Sequence, residues 1–129
     1  QNKFPELDII LNGGLTALEN IKSCLENSVS GVMIGREAYE NPSILLGVDK
    51  EIFDQKEQDR DMKDAMWNMI EYCHREQAEG TAIRGILKHL KGAFKGKANS
   101  KNFKRLLFCN QTLDSEKLKK LSSLVTNYF

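Results

Sequence analysis

Two short turns carry the clearest chemical signal in these 129 residues. Asn12-Gly13-Gly14 closes the apolar run that begins at Asp8-Ile9-Ile10-Leu11, and Gly35-Arg36 closes Gly31-Val32-Met33-Ile34. Each run reads as a buried strand, and each turn stands at its C-terminal end, where parallel α/β sheets bind ligands. Glycine there lets a backbone N–H approach an anion with no Cβ in the way. A helix following each turn would add its positive end, and Arg36 a charge-assisted contact. Asn12, Gly13, Gly14, Gly35 and Arg36 therefore read as a phosphate grip, of the kind (β/α)₈ barrels place after their seventh and eighth strands. A tight turn alone would also explain Gly13-Gly14, and a salt bridge to Glu37 or Glu40 would explain Arg36. Repetition of the pattern one β-α unit later favours phosphate.

The second signal is electrostatic. Residues 49 to 79 hold ten acidic and five basic side chains, whereas residues 81 to 113 hold eight basic ones and no acidic one. The net charge of +1 conceals this polarity. On a helix expected from Thr81, Arg84, Lys88, Lys91 and Lys95 fall at i, i+4, i+7 and i+11, which is one stripe. Lys97, Lys101, Lys104 and Arg105 extend it into the next loop and helix. Like charges at such spacings repel, so an anionic partner is favoured over a solvated basic face with none, and nucleic-acid phosphates fit. Phe103 reads chiefly as core, with base stacking as its other use. His89 reads as a surface or packing histidine, with a phosphate or ribose contact as the alternative.

Other chemistry is thinly supported. Cys24, Cys73 and Cys109 are odd in number, far apart and unaccompanied by metal-ligand spacing. They read as reduced thiols in a cytoplasmic protein, and no metal is expected. No apolar run approaches the roughly 20 residues that cross a bilayer. The start, Gln1-Asn2-Lys3-Phe4-Pro5, does not resemble a signal peptide, and its lack of Met suggests further residues upstream.

The elements that position these groups follow from periodicity. Thr16 and Glu19 form a capping box for a helix with Leu18, Ile21 and Leu25 on one face. Asn41 and Pro42 open another, carrying Ile44, Leu45, Val48 and Ile52. The first fifty residues thus read as β-α-β-α, too little for a complete parallel sheet. From about residue 54 the pattern is helical. Met62, Ala65, Met66, Met69, Ile70 and Cys73 make one stripe, ended by Gly80. Ile83, Ile86, Leu87, Leu90 and Phe94 make the next, on a helix capped by Thr81. Phe103, Leu106 and Leu107 mark a short third helix. Asp114 or Ser115 opens a last one, with Leu118, Leu121, Leu124, Val125 and Tyr128 inward. Short connections imply a small bundle, with Asp54 to Asp61 as the boundary loop.

The run Ile10-Leu11-Asn12-Gly13-Gly14-Leu15, followed by Gly31-Val32-Met33-Ile34-Gly35-Arg36-Glu37-Ala38-Tyr39-Glu40-Asn41-Pro42, closely resembles the tRNA-dihydrouridine synthases. Val48-Asp49-Lys50-Glu51-Ile52-Phe53, Gly80-Thr81, Lys88-His89 and Gly92-Ala93-Phe94-Lys95-Gly96 resemble subfamily A in particular. The resemblance is most specific between residues 9 and 53 and fades after about residue 110. It departs from relatives at Lys97-Ala98-Asn99-Ser100, where they tend to a Pro/Gly turn. It implies an α/β plus all-α chain: residues 1–53 as the last two β/α units of an FMN-binding TIM barrel, and residues 54–129 as a C-terminal helical bundle that binds tRNA.

Carried over by motif, Asn12, Gly13 and Gly14 match one FMN-phosphate loop, and Gly35 with Arg36 the other. Arg84, Lys88, Lys91, Lys95, Lys101, Lys104 and Arg105 become the tRNA contacts. The implied reaction saturates the C5–C6 bond of a D-loop uridine with FMN that NADPH has reduced. The family's acid, a Cys on an active-site loop, and its flavin-contacting Lys and His belong to earlier parts of the barrel, so no catalytic residue is expected here and the chain alone should be inactive. An unfinished barrel edge would favour self-association. Two other readings stay open: a non-catalytic basic helical RNA-binding module on an α/β scaffold, and a different FMN or sugar-phosphate barrel whose helical tail packs on itself.

Overall fold

A parallel strand pair anchors the N-terminal part of the computed structural model, which describes residues 4, 6–27, 29–56, 61–109 and 112–128. β1 (Ile10–Asn12) and β2 (Gly31–Met33) pair in the register Ile10↔Gly31, Leu11↔Val32 and Asn12↔Met33. Both are shorter than the apolar runs that announced them. Helix α1 (Leu18–Asn27) connects them. The Ala17 carbonyl accepts from Ile21 N–H at 3.2 Å, so α1 starts just past the Thr16 position expected for its cap. Leu15, Ile21 and Ile44 form a small core, with Leu18, Cys24, Leu25, Val32, Ile34 and Ile52 packed against it.

The expectation of buried strands fails for much of the pair. Ile10 is 58% exposed, and Leu11 and Met33 are exposed as well. Two strands with helical cover on one side leave their other side to solvent.

The second predicted helix is also divided. β2 leads into α2 (Arg36–Glu40), then a 3₁₀ helix over Pro42–Gly47, then α3 (Val48–Glu51). Asn41 occupies the position before Pro42 but does not cap the backbone with its side chain. Its amide donates to Glu37 Oε1 at 2.8 Å, and its Oδ1 accepts from the Ser43 hydroxyl at 2.6 Å. With that side chain committed, Ile44 N–H bonds the Asn41 carbonyl at 3.1 Å, an i→i−3 bond that tightens the turn to 3₁₀.

The described residues form two compact units, one ahead of residues 57–60 and one after them. Part of the expected boundary loop, residues 57–60, lies outside the described residues. The second unit opens with α4 (Met62–Ala78), whose cap Asp61 accepts from Asp64 N–H at 2.7 Å. α4 ends on Gly80, which adopts φ 86°. Thr81 N–H bonds the Glu76 carbonyl at 2.9 Å and Gly80 N–H bonds the Gln77 carbonyl at 3.0 Å, the paired bonds of a Schellman motif. The Thr81 hydroxyl also donates to Glu76 Oε2 at 3.0 Å. Thr81 therefore finishes α4 rather than capping the next helix.

The helix expected from Thr81 to Phe94 is short. α5 (Arg84–Leu87) gives way to a 3₁₀ turn at Lys88–Leu90, and then to turns that close on i→i−3 bonds such as Ala93 N–H to Leu90 O at 2.9 Å. Glycines at 85, 92 and 96 and a run of like charges weaken the α-helical alternative. α6 (Ser100–Phe108) and α7 (Asp114–Tyr128) complete the unit. Their core gathers Met66, Ile70, Cys73, Ile83, Leu87, Phe94, Phe103, Leu107, Leu118, Leu121 and Val125. Two expectations for α7 change. Tyr128 is exposed and Leu124 only half-buried, while Lys117 is 3% exposed on the face it shares with Leu121 and Val125. Its aliphatic stem fills that face, as long cationic side chains often do.

Because Gly80 sits in the left-handed region, Gly80→Ala should destabilise the chain by about 1 kcal/mol, although nothing lies within 4 Å of the added Cβ. Gly80→Asn should recover part of the loss, since Asn tolerates that conformation. Urea midpoints of the three proteins give the comparison; equal midpoints would show that the helix end does not need this geometry.

Candidate phosphate site and basic face

The register of the strand pair brings the two turns together. Asn12, Gly13, Gly14, Gly35 and Arg36 all line one cavity of about 430 Å³, with Leu15, Thr16, Met33, Glu37 and Glu40. Gly13 has φ 110° and Gly14 φ 71°, conformations that a side chain rarely adopts. Open space surrounds a Cβ built at either position, so the backbone path and not crowding requires glycine. Gly35 differs. Its φ is −90°, and a Cβ would meet Met33 Sδ at 3.4 Å, an ordinary contact, so neither a left-handed backbone nor crowding demands glycine there.

Helix ends contribute less than the turns imply. α1 begins only at Leu18, so Gly13 and Gly14 do not open it. α2 begins directly after Gly35 but has five residues, and its aligned dipoles are few. The donors that the lining residues can offer an anion are therefore mainly backbone N–H groups of the glycine turn and the guanidinium of exposed Arg36. Glu37 and Glu40 oppose an anion, Glu37 with one carboxylate oxygen taken by the Asn41 amide. In the sequence these glutamates stand only as rival partners for Arg36. Their positions after Gly35, on one short helix, are the signal that they share the cavity.

The basic residues belong to the second unit. Arg84, Lys88, Lys95, Lys101, Lys104 and Arg105 are exposed, as is Lys97, and Lys91 is half-buried. They do not form one α-helical stripe, because α5 passes into 3₁₀ geometry at Lys88. Lys88 and Lys91 nevertheless stay aligned, since i and i+3 eclipse on a 3₁₀ turn. On α6, Lys101, Lys104 and Arg105 share the face opposite buried Phe103 and Leu107. Phe103 is core: its ring stacks on that of Phe94 with centroids 4.2 Å apart and an interplanar angle of 24°. It is not open to a base. His89 is exposed on the 3₁₀ turn.

Thiol and metal chemistry find no centre among the described residues. Cys24, Cys73 and Cys109 are not joined in disulfides. Burial pushes the Cys73 thiol up from its ordinary value, with nearby Glu76 adding to the effect, the opposite of an activated nucleophile. Among the described residues no group of three or more His, Cys, Asp or Glu is placed to hold a metal ion. No helix among them is long and apolar enough to cross a membrane.

Comparison with known proteins meets this geometry at the level of the family. A tRNA-dihydrouridine(20/20a) synthase of Escherichia coli K12 is 40% identical over 104 residues, covering 81% of this chain and 30% of its own length. The proteins of that name from Pseudomonas aeruginosa and Haemophilus ducreyi are 38% and 36% identical over 104 residues, again covering 81% of this chain and 31% and 32% of theirs. The chain thus spans about a third of the length of the curated relatives it matches. The family model described as dihydrouridine synthase (Dus) matches residues 1–128, well past residue 110, where the motif resemblance fades. By that match over nearly its whole length, the chain belongs to the dihydrouridine synthase family.

Proposed function

We propose that this chain is the part of a cytoplasmic tRNA-dihydrouridine synthase of subfamily A that holds the flavin phosphate and docks tRNA. In this reading residues 1–53 supply the last two β/α units of an FMN-binding TIM barrel. Residues 54–129 supply the helical tRNA-binding domain. The observation that supports it most is the meeting of Asn12, Gly13, Gly14, Gly35 and Arg36 on one cavity.

A phosphate suits that cavity. Two consecutive left-handed glycines turn the chain so that neighbouring N–H groups form an anion-binding concavity, and the guanidinium adds charge. Arg36 offsets part of the repulsion from Glu37 and Glu40. FMN held there and reduced by NADPH would supply hydride to the C5–C6 bond of a D-loop uridine, and the proton that completes the saturation would come from an acid outside these residues. The residues of this chain anchor and orient; no proton transfer is assigned to any of them. Arg84, Lys88, Lys91, Lys95, Lys101, Lys104 and Arg105 are the candidates from which the contacts to tRNA phosphates come. By itself the chain acts as a basic helical RNA-binding module. Its exposed strand residues Ile10, Leu11 and Met33 offer a surface for self-association.

In the full-length enzyme, Arg36→Ala should weaken FMN binding by about 1–3 kcal/mol, the cost of losing a charge-assisted hydrogen bond. A flavin titration with unchanged affinity would remove Arg36 from the site.

The chain alone should form no dihydrouridine from tRNA, FMN and NADPH, since no described residue is read as the general acid the reaction needs. A clear product signal would return attention to Cys24, Cys73 and Cys109.

For tRNA, eight cations of which about half meet phosphates should give a log–log salt slope of roughly −3 to −4, at about −0.9 per phosphate. Lys88→Ala should reduce the slope by about one and weaken different tRNAs alike. Lys104→Glu with Arg105→Glu should cost far more than Lys63→Glu with Lys119→Glu, a pair of equal charge change. Lys117 is unsuitable as a control because it is buried. Equal losses would reduce the effect to diffuse charge, and no loss from the first pair would end the docking reading.

A further inference from the structure

In the helical unit a groove of about 540 Å³ runs between α6 and α7. Its size lies within the range of small-ligand sites. Leu106 and Leu124 supply apolar surface, Arg105 and Lys120 supply two cations, and Asn127 and Tyr128 supply an amide and a phenol ring. No Asp or Glu among the described residues lines it, in contrast to the cavity at the glycine turns. Of these six residues only Arg105 belongs to the basic patch read from the sequence, where α7 is expected to face inward.

We infer that this groove receives one unpaired nucleotide of an RNA, a proposal that rests on the tRNA-docking reading and adds to it a site for a base. Its composition selects that class of ligand. A flat ring needs an aromatic face and apolar walls, and its phosphate needs cations nearby. Tyr128 keeps 38% of its surface exposed, so its ring is available. A duplex is excluded by scale: neighbouring helices pack with axes about 8–10 Å apart, and the space between them admits a ring but not a double helix. Sequence-specific RNA recognition generally uses splayed, unpaired bases.

The polar groups are disposed to help. Lys120 Nζ lies 2.6 Å from Glu116 Oε1, but the pair is exposed on both sides. Exposed pairs of this kind contribute little, so a phosphate can exchange for the carboxylate. The Asn102 amide already donates to Asn99 Oδ1 at 2.9 Å, and the Ser123 hydroxyl to the Lys119 carbonyl at 3.2 Å. The Asn127 amide takes part in no such bond among the described residues, and it can both donate to and accept from a base edge. The cations hold the nucleotide's phosphate, Tyr128 stacks on the base, and Asn127 reads its edge.

Single-stranded pentauridine and an unmodified tRNA transcript, titrated into the full chain by fluorescence anisotropy, test this. Tyr128→Ala should weaken pentauridine binding by about tenfold, the scale of one lost base stack, while leaving the salt slope unchanged. Tyr128→Phe should retain binding. Replacing the uracils by abasic sites should weaken the wild type by a similar factor and Tyr128→Ala hardly at all. Circular dichroism keeps the comparison to folded variants. If pentauridine fails to bind the wild type, or if Tyr128→Ala and Asn127→Ala bind both RNAs within about twofold of it, the groove has no nucleotide role. Those outcomes overturn the groove even where Lys104→Glu with Arg105→Glu abolishes tRNA binding, and so separate its failure from failure of the docking reading.

Discussion

The parallel pairing of Ile10–Asn12 with Gly31–Met33 is the constraint on which the candidate phosphate site depends. Parallel strands run the same way, so the turns that follow them leave from the same end. With Asn12 opposite Met33, the Gly13-Gly14 turn lands beside Gly35-Arg36. A slip of one residue would reverse every side chain and send Val32 away from the core it joins. Two features hold the register. Ser30 N–H bonds the Ile9 carbonyl at 2.9 Å, just ahead of the paired residues. At the first pair, Ile10 occupies the space that a side chain at 31 would need: a Cβ on Gly31 would stand 2.8 Å from Ile10 Cδ1.

In the helical unit the comparable anchor is the Phe94–Phe103 stack, with Lys95, Lys97 and Lys101 on the chain between its two rings. Burying each ring contributes about 1.5–3 kcal/mol, and the stacked geometry about 0.5–1.5 more. Repulsion between neighbouring lysines costs only a few tenths per pair. The aromatic term wins, and it holds the cationic stretch ahead of α6 in place without an α-helix. Gly96 and Asn99 take left-handed conformations within this segment, at φ 76° and 65°. Such turns let the chain reverse between its two buried rings.

What the sequence disclosed and what it concealed divide along physical lines. Strong periodicity located α1, α4, α6 and α7, because an apolar stripe records which face is buried. The α4 terminus was legible for the same reason that Gly80 is required there. The break after Leu87 was hidden: the stripe of Ile83, Ile86, Leu87, Leu90 and Phe94 has spacings of three and four, which α and 3₁₀ geometry both satisfy. Asn41 and Thr81 suggest caps because propensity names a residue suited to the task without naming its competitors; here these are Glu37 and Glu76. The residues of the glycine cavity could be named from their place after strands, whereas Glu37 and Glu40 emerge only with the short helix α2. Lys117 at the centre of a buried face, and the α6–α7 groove, depend on packing between elements and leave no local trace.

On the proposed reading, the two candidate sites would hold phosphate by different physics. At the glycine turns one arginine is accompanied by two glutamates, so the formal charge of the lining is −1. Side-chain charge alone would repel a phosphate there. Attraction has to come from backbone N–H groups, whose dipoles are fixed and cannot titrate. That is why the left-handed conformations of Gly13 and Gly14 matter more than the number of cations. On the helical unit the reverse holds. The face of Arg84 to Arg105 carries its charge on many cationic side chains, which suits a long polyanion whose phosphates need no single register. A small ligand bound once, in one orientation, calls for the first arrangement. A folded RNA that must be captured and then aligned calls for the second, with a groove such as that between α6 and α7 to convert attraction into register.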